Sequence, residues 1–194
     1  NTIIEVDALN HTMTVEAGCI LADIQNAAEA EDCLFPLSLG AEGSCRIGGN
    51  LSTNAGGIGV LRYGNTRDLV LGLEVVLADG SVLRSGSRCH KNKTGFDLVG
   101  LFVGSEGMLG VVSEATLRLI PHPQSRAMLT ATFARFPQAA HAVQRILNSG
   151  HLPSALEITD AFTLRAARDY LGPSSLPDGD AHLMVEIDGR QAAV

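Results

Sequence analysis

The sequence predicts an α+β protein in two parts, and three observations carry that prediction. Asp79-Gly80 stands between the apolar, β-branched runs LVLGLEVVL and SVLRS, a strong short-range signal for an antiparallel hairpin of type I′. Pro121-His122-Pro123 is a stiff break in the chain. Beyond it, strand and helix patterns alternate as β-α-β-α-β, the opening of an α+β sandwich. The expected parts are therefore residues 1–122 and 123–194.

In order, Thr2–Val6 and Met13–Glu16 read as strands around the polar turn Asp7–Thr12. Ile20 to Glu31 places Ile20, Ile24, Ala27 and Ala28 on one helical face, opposite Gln25, Asn26 and Glu29. Leu34-Phe35-Pro36 ends that helix. The hairpin follows between Asp68 and Ser85, then a polar loop, then a short helix over Asp97–Val103 capped by Asp97. The alternating Ala115, Leu117, Leu119 mark a strand. In the second part Met128–Ala134, Ala155–Thr159 and His182–Ile187 are strands. Pro137–Asn148 is a helix stopped by Gly150, and Asp160 caps another through Tyr170. Gly172–Gly179 is a Pro/Ser/Gly loop.

Composition removes several function classes. The net charge of −7, with no basic cluster, argues against a nucleic-acid surface. No apolar run approaches the length of a membrane span, and no signal peptide is visible. Cys19, Cys33, Cys45 and Cys89 show no C-x-x-C spacing, which favours buried free thiols in a reducing, cytoplasmic compartment. Neighbouring Cys89 and His90 point apart in extended chain, so they make no catalytic pair. None of the six histidines shows ligand spacing, so no metal site is assigned.

Two glycine-bearing stretches remain. Pro36–Gly64 carries eight glycines in 29 residues, interleaved with Ile47, Leu51, Ile58, Val60 and Leu61, without a sustained helical or strand period. It reads as a loop packed on a core, with backbone N–H groups arrayed for a phosphate-bearing ligand. It matches neither a Walker A loop nor G-x-G-x-x-G, since Gly49 stands where the lysine and Arg62 where the last glycine would be. In the second stretch Gly104, Gly107 and Gly110 recur every third residue and run straight into Val111-Val112, with Glu106 between them.

PLSLGAEGSCRIGGNLSTNAGG, VLRYGNTRDLVLGLEVVLADG and KNKTGFDLVGLFVGSEGMLGVVSEATLRL together resemble the PCMH-type FAD-binding domain of the vanillyl-alcohol-oxidase flavoproteins, within it the D-2-hydroxyacid dehydrogenases. The resemblance covers Thr2 to Pro123, and the tail resembles the start of that family's substrate-binding cap. It implies that residues 1–122 are an FAD-binding domain lacking its first nucleotide loop, and 123–194 the beginning of a cap, so that the chain is a fragment. Gly40, Ala41, Gly43 and Ser44 would run beside flavin and pyrophosphate, with Pro36 in the same set. Gly48, Gly49 and Asn50 would give close backbone approach. Thr53, Asn54, Ala55 and Gly56 would bond the diphosphate and ribitol, and Glu106, Gly107, Gly110, Val111 and Val112 would hold the adenosine end.

The implied activity is FAD-dependent oxidation of a D-2-hydroxyacid to the 2-keto acid, with non-covalent FAD. The implied partners are a small hydroxyacid and an unidentified electron acceptor, with a homodimer as candidate assembly. Catalytic residues, and the ligands of a divalent metal such as zinc, would lie outside this chain. Departures from the family pattern are Arg46 for Thr, Lys93 for Asn, Phe96 for Tyr and Met108 for Thr, the last two losing a hydroxyl. Arg46 is expected either to pair with a phosphate or to turn inward. The alternatives are a non-catalytic flavin-binding or structural subunit, and a related flavin oxidase of alcohols or sugars.

Overall fold

A computed structural model describes residues 1–172, 176, 178–192 and 194. The chain divides into two units, Asn1–His122 and Pro123–Val194.

The first unit is built on an antiparallel sheet. Strands β1 (Ile3–Asp7) and β2 (Thr12–Glu16) pair across a tight turn in which His11 takes φ +51°. Helix α1 (Leu21–Glu29) buries Leu21, Ile24 and Ala28. Ile20, predicted inside the helix, stands just before it in extended backbone, and Leu21 takes its place in the core. Cys33–Leu34 forms the short strand β3.

Helices α2 (Ile47–Thr53) and α3 (Val60–Tyr63) then occupy the stretch expected to lack helical period. Gly48 and Gly49 hide α2, because each glycine costs a helix about 1 kcal/mol relative to alanine. Burial of Ile47 and Leu51, one helical turn apart, holds it in place. Ile58 and Leu61, expected in the core, are instead exposed.

A 3₁₀ turn (Thr66–Leu69) leads to β4 (Val70–Val76) and β5 (Val82–Gly86). These form the predicted hairpin, but its turn is not type I′. That turn needs φ > 0 at both central residues, and only Gly80 has it, at +84°. The Gly80 N–H donates to Leu77 O at 2.9 Å and the Leu77 N–H to Ser81 O at 2.9 Å. The hairpin therefore closes as a type I turn with a bulge at Gly80. Asp79 fastens it by accepting from the Ser81 N–H and hydroxyl, at 2.9 and 2.6 Å.

Helix α4 (Leu98–Phe102) is capped as expected, with the Asp97 carboxylate accepting from the Gly100 N–H at 2.8 Å. Strand β6 (Val111–Arg118) enters the middle of the sheet, giving the order β1-β2-β6-β4-β5. Residues Ile120–Pro121 form β7, which pairs with β3. Met13, Val15, Leu21, Ile24, Phe35, Leu37, Ile47, Leu51, Val75, Leu117 and Leu119 fill the core between sheet and helices. All four cysteines are free, but only Cys19 and Cys33 are buried; Cys45 is half-buried and Cys89 exposed, which corrects the expectation of four buried thiols.

The second unit pairs β8 (Ser125–Phe133), β9 (Ala155–Asp160) and β10 (Ala181–Gly189) as an antiparallel sheet with β10 central. Helices α5 (Phe136–Asn148) and α6 (Ala161–Leu171) complete it, and Asp160 caps α6 by accepting from the Thr163 N–H at 2.8 Å. Within the loop predicted over Gly172–Gly179, residues 173–175 and 177 lie outside the described residues. Among the described residues no helix is long and apolar enough to cross a membrane.

Candidate functional site

The first glycine-bearing stretch is fixed on the N-terminus of α1. No side chain caps that helix. Its first-turn donors go instead to the glycine-rich loop, the Leu21 N–H to Cys45 O at 3.1 Å and the Ala22 N–H to Glu42 O at 2.9 Å. Gln25 Nε2 donates to Leu37 O at 2.7 Å and to Glu42 Oε2 at 3.3 Å, where the Ser38 hydroxyl also donates. With its ends held this way, the loop buries Pro36 and exposes Gly40, Ala41, Gly43 and Ser44.

Helix α2 is anchored from beneath. The Ile47 N–H donates to Cys19 O at 2.9 Å and the Gly48 N–H to Ala17 O at 2.8 Å. The two adjacent glycines differ: a Cβ on Gly48 would lie 2.9 Å from Ala17 O, whereas one on Gly49 would meet nothing within 4 Å. Gly48 thus serves packing and Gly49 presents bare backbone to solvent. Asn50 is buried, its side-chain oxygen 3.6 Å from Cys45 Sγ. Asn54 ends the helix in the left-handed conformation. Ala55 is tied on both sides, its N–H to Asn50 O at 2.8 Å and its carbonyl to the Thr66 N–H and hydroxyl at 2.9 and 2.7 Å.

The fold brings the second stretch against this helix. The Gly104 N–H donates to Leu51 O and the Glu106 N–H to Ser52 O, each at 2.9 Å. Glu106 sits at φ +52° with its carboxylate exposed and without a protein partner among the described residues. Gly107 is open to solvent, while Gly110 packs down onto β4, where a Cβ would fall 2.6 Å from Val75 Cγ1. Val111 and Val112 then pair with Val76 and Val75.

Among the described residues the backbone N–H groups of Gly40, Ala41, Gly43, Gly56 and Gly107 donate to no protein acceptor. Backbone donors on exposed glycine-rich turns, beside helix α2, suit an elongated anionic ligand bound by main chain. Sequence reasoning did not find what joins the stretches: Arg67, whose guanidinium Nη2 donates to Val103 O at 2.6 Å, and the Leu51 and Ser52 carbonyls. These contacts join residues 36 or more positions apart in the chain and leave no local pattern.

The remaining candidates lie elsewhere. The Arg46 guanidinium, expected to meet a phosphate or turn inward, donates to Gly18 O and to Asn1 Oδ1. His90 contacts Asn10 O at 2.7 Å, away from Cys89. A Cys–His contact that the sequence did not signal joins Cys33 Sγ and His11 Nδ1 at 3.6 Å. Burial pushes the Cys33 thiol up, which keeps it protonated and a poor nucleophile. No group of three or more His, Cys, Asp or Glu among the described residues is arranged to hold a metal.

Comparison with known proteins finds two matching domain families. Residues 1–86 match the FAD binding domain family, and residues 122–194 match the C-terminal domain of FAD-linked oxidases. The glycolate oxidase subunit GlcD of Bacillus subtilis is 40% identical over 189 residues, covering 97% of this chain and 40% of the relative. The mitochondrial D-2-hydroxyglutarate dehydrogenase of Bos taurus is 38% identical over 194 residues, covering 97% and 35%. The chain thus spans well under half the length of these relatives. Among solved structures, alkyldihydroxyacetonephosphate synthase superposes with a TM-score of 0.82 over 99% of this chain and 37% of its own, at 21% identity, a likeness of fold alone. With both family domains present in order, this chain belongs to the FAD-linked oxidases with a PCMH-type FAD-binding domain.

Proposed function

We propose that the protein carrying this chain oxidises a D-2-hydroxyacid to the corresponding 2-keto acid, using non-covalently bound FAD. The observation that carries the reading is that relatives aligned over 97% of this chain are named for glycolate and D-2-hydroxyglutarate, both 2-hydroxyacids. FAD, when bound, supplies the hydride acceptor; the protein supplies position and electrostatics.

The residues present fit such a cofactor. The open backbone at Gly40, Gly43, Gly49 and Gly107 leaves room for a ligand where any side chain would project, and the unpaired N–H groups beside it are donors for the diphosphate. In the proposed arrangement Gly40, Ala41, Gly43 and Ser44 border the flavin and pyrophosphate. Gly49, Thr53, Asn54, Ala55 and Gly56 face the diphosphate and ribitol, and Gly48, expected to give close backbone approach, instead packs against Ala17 beneath them. Glu106, Gly107, Gly110, Val111 and Val112 hold the adenosine end. Pro36 and Asn50, both buried, shape the first segment from within. We assign no proton-transfer residue to this chain, and residues 123–194 are proposed as part of a substrate-binding cap. Compartment, homodimer formation and electron acceptor belong to the same proposal; the cytoplasmic reading stands beside relatives whose names place them in mitochondria.

The test is an anaerobic titration of the full-length protein, followed in the visible spectrum. A flavin spectrum bleached by D- but not L-2-hydroxyacids is the expected result. A colourless protein that takes up no added FAD would refute the reading and leave a structural subunit as the alternative. Bleaching by simple alcohols or sugars instead would move it to another branch of flavin oxidases.

A further inference from the structure

The two cofactor-bearing segments are joined through few groups, and Arg67 stands at the centre of them. Its backbone N–H donates to Asn54 Oδ1 at 2.9 Å, and its guanidinium Nη2 donates to Val103 O at 2.6 Å. One residue thereby ties the end of α2 to the start of the 104–110 turn. Asn54 is in the left-handed conformation with its side chain turned to that N–H. Gly104, at φ +86°, admits both partners: a Cβ there would lie 3.0 Å from Arg67 Nη2 and 3.2 Å from Asn54 Cβ. The Gly104 and Glu106 N–H bonds to Leu51 and Ser52 run alongside. The capping box of Asn65 with Asp68 fixes the backbone that presents Arg67.

We propose that Arg67 is a positioning residue that sets the spacing between the two FAD-binding segments, without touching the cofactor's phosphates. The inference rests on the cofactor site proposed above. Its physical content is one of effective concentration. A ligand that spans both segments gains from their fixed separation, whereas a shorter ligand that touches one segment does not. Neutralising Arg67 leaves each segment folded on its own supports, α1 for residues 36–46 and β6 for residues 111–112, but loosens their mutual register, which then rests on the Gly104–Leu51 and Glu106–Ser52 backbone bonds alone.

The experiment uses the full-length apoprotein and compares FAD with FMN, which carries the flavin, ribitol and a phosphate but no adenosine and so reaches only one of the two segments. Arg67→Met is expected to weaken FAD about tenfold or more while changing FMN affinity less than about twofold. Arg67→Lys, which can still donate to the Val103 carbonyl, is expected to recover most of the FAD affinity. Should Arg67→Met fail to fold, Asn65→Ala removes half of the capping box that presents Arg67 and is expected to give the same separation of FAD from FMN. Equal losses for FAD and FMN would overturn the proposal, since they indicate a direct phosphate contact or general loosening. Unchanged FAD affinity would also overturn it. Gly49→Val separates this from a failure of the site itself. If that variant weakens FAD and Arg67→Met does not, the tie alone is wrong. If neither changes FAD binding, the site is wrong.

Discussion

The two units spend their apolar residues differently. In Asn1–His122, 21 buried hydrophobic residues form one continuous cluster between sheet and helices. In Pro123–Val194 the buried hydrophobics among the described residues are Ala139, Ala155, Leu164, Ala181, Leu183 and Val185. Three of those six are alanines. Met128, Leu129, Phe162, Tyr170 and Leu171 stay largely exposed. Burial of apolar area is the main stabilising term in folding, so the stability of this chain resides in the unit that carries the glycine-rich loops. That is a physical requirement of those loops: exposed glycine-rich turns supply little packing of their own, and the core beneath must hold them.

The largest expected effect tests this contrast directly. Leu117→Ala, in the first unit's core, is expected to destabilise by about 2–5 kcal/mol, while Leu129→Ala, 66% exposed in the second unit, stays within about 0.5 kcal/mol. Urea denaturation of the two variants measures it, and similar midpoints for both would break the contrast.

A smaller effect of opposite sign sharpens it. Gly49→Ala, in a helix with open space around the new Cβ, is expected to stabilise the apoprotein by about 0.5–1 kcal/mol. The same variant should weaken FAD in a fluorescence titration, since stability and an open backbone compete at that position.

The smallest effect concerns the second unit alone. Hydrogen bonds from the Thr163 backbone N–H, first, and from its hydroxyl hold the Asp160 carboxyl below its ordinary value. A carboxyl whose folded pKa is depressed contributes stability that is full above its unfolded pKa, near 3.9, and is lost as pH falls through the folded value. Asp160→Asn should therefore flatten the acid limb of α6 helicity followed by circular dichroism, with little change at neutral pH. An unchanged acid limb would show that the cap is not the titrating group.

The hairpin, the capped helix at Asp97 and the strand–helix alternation beyond Pro123 were legible because each rests on local chemistry. The exact turn at Asp79-Gly80 was not, because loop closure through Ser81 selects a bulged turn over the dipeptide's usual preference. Helix α2 was obscured by its own glycines, and tertiary burial of Ile47 and Leu51 overrode propensity. The β3–β7 pair joins Cys33 to Pro121, two residues on each side, and no periodicity can announce a strand that short. At the candidate site the glycines marked where backbone is exposed. They did not show which glycine faces open space and which faces the core, a distinction that Gly48 and Gly49 draw only in three dimensions.

The central place of β6 has a dynamic consequence. Hydrogen-bonded on both sides, to β2 and to β4, it is the strand whose amide protons should exchange slowest, in the regime of global rather than local opening. Val111 and Val112 open that strand, paired there with β4 alone, and cannot yield to an arriving ligand without tearing that ladder. The loop from Gly40 to Ser44 is held among the described residues by a few loop-to-helix and turn bonds, and its amides are expected to exchange far faster. In the arrangement proposed above, capture would then be asymmetric, the adenosine end meeting the rigid strand and the flavin end the more mobile loop over α1.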